Sequence, residues 1–150
     1  MDKNNGSCIF CDIIQKKRDH YLIAEDESFF VILDIFPLRP GHVLILSKRH
    51  VKVIEELHEI ERGILINWVN KISQGLKNSS LGVRSTQILL NNGKEANQTI
   101  PHLHFHIIPR YGRDLGVLFF NLLTRYFNPL MRIKRTVYLE QVKEKIKASL

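Results

Sequence analysis

The chain has 150 residues, 44% hydrophobic and 25% charged, which is ordinary for a soluble globular protein and long enough for one domain with a buried core. Its net charge of +7 is uneven: from Arg110 onward there are nine Lys or Arg against three Asp or Glu, while residues 1–109 hold thirteen against twelve. A nearly neutral body therefore carries a basic tail. Such a tail suits an acidic partner, nucleic acid or anionic lipid, and equally an ordinary solvated helix face, which is the reading preferred here. Basic–aromatic interleaving of the kind that stacks on bases is missing, so nucleic acid is not expected as a partner. The polar start, Met1 to Gly6, lacks a cationic segment followed by an apolar run. No secretory signal is expected, and a cytoplasmic location is the default.

Taken in order, the two cysteines come first, as Cys8-Ile9-Phe10-Cys11. In a reducing compartment a C-x-x-C pair reads as metal-binding or redox-active before it reads as a disulfide. A thioredoxin-type site would follow a strand, whereas only a polar arm precedes Cys8. Ile9 to Gln15 predicts a short helix or tight turn. Tyr21–Ala24 predicts a strand, Glu25 to Ser28 a turn, and Phe29–Asp34, rich in aromatic and β-branched residues, a second strand in a hairpin. Pro37 and Pro40-Gly41 mark a loop, and His42–Ser47 predicts a third strand.

From Ile54 to Leu76 apolar residues recur at steps of three and four, among them Leu57, Ile60, Leu65, Trp68 and Ile72, the signature of a long amphipathic helix. Glu55, Glu56, Glu59 and Glu61 suit its positive end, Asn78 to Gly82 supplies a stop, and His58 is expected to face solvent. Thr86–Asn91 predicts a fourth strand, and Asn92–Thr99 a polar loop. In His102-Leu103-His104-Phe105-His106-Ile107-Ile108-Pro109 three histidines occupy alternate positions. On a strand they share one face, with successive members about 6.5–7 Å apart, and Leu103, Phe105 and Ile107 fill the other. Metal ligation, proton transfer and nucleophilic attack all remain open for such a row.

Five strands with one long helix between the third and fourth predict an antiparallel α+β domain, without internal repeats. The apolar run from Leu115 to Phe127 lies between Arg113 and Arg125 and is too short for a membrane span, which needs about 20 residues. Docking on the domain or on a second subunit is expected instead. Tyr138–Leu150 predicts a basic terminal helix with Val142, Ile146 and Leu150 on one face. The expected division is a domain over residues 1–112 and a basic, helical extension over 113–150.

The run HLHFHII resembles the histidine-triad motif, H-φ-H-φ-H-φ-φ with φ apolar. ILDIFPLRPGHVLILSKRH resembles that family's base- and ribose-binding segment, LNNGKEANQTIPHLHFHIIPR its phosphate loop and catalytic strand, and CIFCDII the start of many bacterial members. Together these cover roughly residues 8–112 in the family's order. The resemblance implies a HIT-like five-stranded antiparallel sheet, joined to a second sheet across a homodimer. It implies hydrolysis at the α-phosphate of purine nucleoside phosphoramidates or dinucleoside polyphosphates through a nucleotidyl-histidine, releasing an AMP- or GMP-like nucleotide. By the same resemblance His104 is the nucleophile, His106 contacts phosphate, and His42, near the catalytic strand, has an orienting catalytic role. Asp34 binds the ribose, while Asn91, Gln98 and Thr99 lie beside the nucleotide. Related nucleotidyltransferases and some bacterial members hold zinc through a C-x-x-C pair and two histidines, which here match Cys8, Cys11, His50 and His102, a closed structural set. No organic cofactor is implied. A row of histidines serving only as a metal site would leave Asp34, Gln98 and Thr99 unexplained. Two other functions remain: a nucleotide-binding or scaffolding protein with little turnover, and a nucleotidyltransferase, although those are longer and commonly carry proline where this chain has Leu103.

Overall fold

A computed structural model of the chain describes residues 8–112, 116–117 and 132–150. Its centre is two strands in which every residue is buried, β2 (Phe29–Leu33) and β3 (Val43–Ser47). Side chains alternate between the faces of a strand, so an unbroken apolar run requires cover on both sides. Phe29, Val31, Leu33, Val43 and Ile45 enter the main core. Phe30, Ile32, Leu44 and Leu46 enter a smaller core on the opposite face.

The other strands are β1 (Leu22–Glu25), β4 (Ser85–Leu90) and β5 (His104–Arg110). All pairings are antiparallel in the order β1-β2-β3-β5-β4, as expected for the α+β fold. Across β3 and β5, Leu46 faces His104 and Leu44 faces His106. The two histidines therefore share the face of the smaller core, and Leu103, Phe105 and Ile107 enter the larger one. The β1–β2 turn is tied by Asp26: its Oδ1 accepts from the Ser28 and Phe29 N–H groups, and its Oδ2 accepts from Trp68 Nε1 at 2.6 Å.

The main core is roofed by α2 (Glu59–Asn78). The helix begins five residues later than its apolar periodicity predicts. Ile54–Glu56 forms one 3₁₀ turn, and Leu57 and His58 are extended. Glu61 Oε2 accepts from the His58 N–H at 2.7 Å, satisfying a donor at the true N-terminus. Ile60, expected on the core face, is instead 78% exposed; His58 is exposed as expected. At the other end Ser79 Oγ donates to the Leu76 carbonyl.

A short helix, α1 (Ile9–Ile14), lies over the smaller core, with Phe10 buried and Ile13 and Ile14 packed against it. The terminal helix α3 (Arg132–Lys147) starts six residues earlier than predicted and sends Leu139, Val142 and Ile146 into the main core. Leu150 packs against Gly75 of α2, where an added Cβ would lie 2.5 Å from it. The apolar run Leu115 to Phe127 lies, apart from Gly116 and Val117, outside the described residues. Among the described residues, no helix is long and apolar enough to cross a membrane.

Candidate functional site

The loop between β2 and β3 turns at Gly41, whose φ of +79° suits glycine and whose missing Cβ leaves room for Leu81, Leu76 and Pro109. That turn delivers His42, 0% exposed, beneath the sheet's histidine face. His42 Nε2 lies 3.0 Å from His106 Nδ1, and His42 Nδ1 lies 3.3 Å from Asp34 Oδ2. The buried Asp34 also accepts from the Phe36 N–H through Oδ1 at 2.8 Å. Asp34, His42 and His106 thus form one chain of polar contacts. The Leu38 N–H stands 3.3 Å from His42 Nδ1 as well. Two proton arrangements follow. In one, Nδ1–H of His42 donates to Asp34 and Nδ1–H of His106 donates to His42. In the other, His42 accepts from Leu38 and donates to His106, whose own proton then sits on Nε2. Although these three groups come close enough to hold a metal, direct hydrogen-bond distances account for the cluster without one.

His104 is buried beside this chain, its ring centroid 4.9 Å from that of His106. Nδ1–H of His104 donates to the His102 carbonyl at 2.7 Å, which leaves Nε2 with its lone pair. Burial pushes the His104 pKa below the ordinary histidine value and keeps the ring neutral. A neutral imidazole with a fixed tautomer and one free lone pair is a competent nucleophile.

His102 lies just before β5 rather than in it, so the row of three is a pair in the strand with a third member turned aside. Its Nε2–H donates to the Ser47 carbonyl at 2.7 Å. Nδ1 then faces Cys8 Sγ at 3.4 Å and Cys11 Sγ at 3.6 Å, and His50 Nδ1 lies 3.2 Å from Cys11 Sγ. Ligand atoms of the four residues lie within 4.8 Å of one another. Burial holds the His102 pKa down at about 4. Burial, with the Cys8 thiol alongside, pushes Cys11 up to about 11. Two thiols and two imidazoles, one with its lone pair already turned inward, are chemically suited to a thiophilic divalent ion, which would displace the thiol protons.

The remaining predicted residues fall around the loop before β5. Gln98 Oε1 accepts from the Gly93 N–H at 3.0 Å, and its Nε2 donates to the Lys52 carbonyl at 2.7 Å and the His102 carbonyl at 3.4 Å. Its amide closes the loop and touches the carbonyl that orients His104. Asn91 Nδ2 donates to the Asn97 carbonyl at 3.3 Å, and Thr99 is exposed. Ser47 and Phe10, which sequence reasoning did not single out, touch these side chains through a main-chain carbonyl and through ring packing, and neither contact can be read from residue type.

The HIT domain profile matches residues 15–113. An uncharacterized HIT-like protein of Methanocaldococcus jannaschii is 40% identical over 113 residues, 75% of this chain and 86% of that one. The adenosine 5'-monophosphoramidase of Schizosaccharomyces pombe is 32% identical over 111 residues, 74% and 80% of the two chains. A zinc-bound histidine triad family protein from Mycobacterium smegmatis superposes with a TM-score of 0.76 at 28% identity, covering 95% of this chain and 92% of that one. The chain belongs to the HIT family.

Proposed function

We propose that the protein is a cytoplasmic hydrolase that cleaves the α-phosphate linkage of purine nucleoside phosphoramidates or dinucleoside polyphosphates. The observation that carries this reading is the His104 side chain: buried, neutral, tautomerically fixed, and next to a second imidazole backed by His42 and Asp34. His104 Nε2 attacks the α-phosphorus, the leaving group departs, and a nucleotidyl-histidine remains until water attacks it. His106, as an Nε2–H donor or an imidazolium, stabilises the transferring phosphoryl charge and protonates the leaving group. His42 exchanges protons with His106, and Asp34 holds His42 and binds the ribose hydroxyls in this reading. Asn91, Gln98 and Thr99 shape the loop that receives the nucleotide.

Cys8, Cys11, His50 and His102 hold a structural zinc in this reading; the ion supplies a tether and no chemistry to the reaction. Support comes from the donor set and from the zinc-bound relative. The free thiols suit a reducing compartment. A homodimer is supported by the edge strand β4, where Ile88 and Leu89 are exposed. Residues 1–112 form the catalytic unit, and 113–150 a basic extension whose last helix braces it.

The test is steady-state release of AMP from an adenosine phosphoramidate. His104→Ala is expected to lower turnover by roughly a thousandfold or more while AMP binding, followed by calorimetry, persists. Unchanged turnover would remove His104 as nucleophile. Binding without turnover in the wild-type chain would favour a scaffolding protein.

A further inference from the structure

Phe10 has no part in the chemistry above, yet its ring is packed on both sites at once. Its centroid lies 5.0 Å from that of His104 at an interplanar angle of 56°, and 5.7 Å from that of His102 at 77°. The side chain is 5% exposed and sits in the smaller core with Phe30, Leu44 and Leu46.

The hydrogen bond from Nδ1 of His104 to the His102 carbonyl fixes the tautomer, but a single bond lets a ring swing about the donor–acceptor line. Packing removes that freedom. The His106 ring contacts His104 at 68°, and Phe10 supplies a second, apolar contact. Phe10 in turn depends on α1, a six-residue helix too short to persist alone. Both cysteines flank Phe10, and their thiols face His102 and His50. One small element therefore carries a tether at two points and an aromatic wall between them.

We propose that Phe10 is a positioning residue for the His104 imidazole, and that filling the Cys8–Cys11–His50–His102 site determines how firmly that wall is held. The proposal rests on reading His104 as the nucleophile. It predicts that metal status reaches the reacting nitrogen through packing. A merely space-filling Phe10 would change stability and reagent access but leave kcat and the effect of zinc on His104 unaffected.

The experiment is carbethoxylation of the zinc-loaded full chain by diethyl pyrocarbonate, with modification of His104 followed by peptide mass spectrometry against the exposed His58 as internal reference. Phe10→Ala is expected to raise the relative rate at His104 by about tenfold and Phe10→Leu by less. Both lower kcat by roughly ten- to a hundredfold while KM moves less than about twofold. Stripping zinc from the wild-type chain is expected to raise the His104 rate similarly, and zinc to restore it. In Phe10→Ala the zinc effect should largely disappear, because both changes act through one contact.

An unchanged His104 rate in Phe10→Leu overturns the proposal, and that variant decides the matter if Phe10→Ala does not fold. So does a zinc effect of full size in Phe10→Ala, or a wild-type chain that takes up no zinc. If the wild-type chain shows no turnover but its His104 reactivity still depends on Phe10 and zinc, the nucleophile reading falls and the positioning role stands. Turnover with a His104 rate indifferent to both has the opposite meaning.

Discussion

Two imidazoles two positions apart, His102 and His104, carry their protons on different nitrogens, each fixed by a main-chain carbonyl. Ser47 takes the Nε2–H of His102, and His102 takes the Nδ1–H of His104. One lone pair is thereby turned to the thiols, and the other stays on Nε2 of His104. Alternation along HLHFH made a shared histidine face legible for His104 and His106. The tautomers were not legible, because they depend on carbonyl directions, one of them 55 residues away in the chain. Asp34 shows the same limit: its identity marks a candidate ligand, but its buried contact with His42 depends on the turn at Gly41. Asp34→Asn keeps the shape and removes the charge. It is expected to lower kcat for nucleoside phosphoramidate hydrolysis about tenfold, less than the roughly hundredfold or more that loss of a general acid–base group itself costs. A change confined to KM, in the same steady-state assay, would assign Asp34 to the ribose alone.

Among the elements, the strands were the most legible. Runs such as Phe29–Leu33 and Val43–Ser47 leave few alternatives once Pro40-Gly41 separates them. Helix boundaries were less so. The apolar period runs on from Ile54 without a break, whereas the helix starts where Glu61 satisfies the His58 amide. Periodicity alone does not reveal that competition, nor that Ile60 would point outward. In α3, Val142 and Ile146 stand out by spacing, while Leu139 lies one turn closer to a stretch of arginine and lysine that carries little apolar signal. Ile146 is fully buried in the main core. Ile146→Ala is expected to cost about 3 kcal/mol in urea unfolding, typical of a large-to-small change in a packed core. Val137→Ala, on the exposed side of the same helix, should stay within about 0.5 kcal/mol. Equal effects would mean that α3 does not belong to the cooperative unit.

For the molecule as a whole, the buried histidines link folding to pH. In the metal-stripped chain His102 stays neutral down to about 4, and His104 is held below its ordinary value, both by burial. Unfolded, these groups take up protons once pH drops below about 6.5. Unfolding therefore absorbs protons between those limits. Stability should be fully present above about 6.5 and be lost progressively as pH falls toward 4. Thermal unfolding of the stripped chain across that range is the measurement, and a flat melting temperature would contradict it. The zinc-loaded chain should fall more steeply, since the thiols must also regain protons as metal leaves.

The strand β3 begins beside His42 and ends at Ser47. Its residues are buried, and it is bonded on one side to β2 and on the other to β5. Amide hydrogens in such a position exchange with deuterium only when the whole domain opens. His42, in contact with Asp34 and His106, and the Ser47 carbonyl that aims His102 are thus mounted at opposite ends of the segment with the slowest expected exchange. Loops and α1 lie around that strand, and β3 is the fixed reference for both residue clusters.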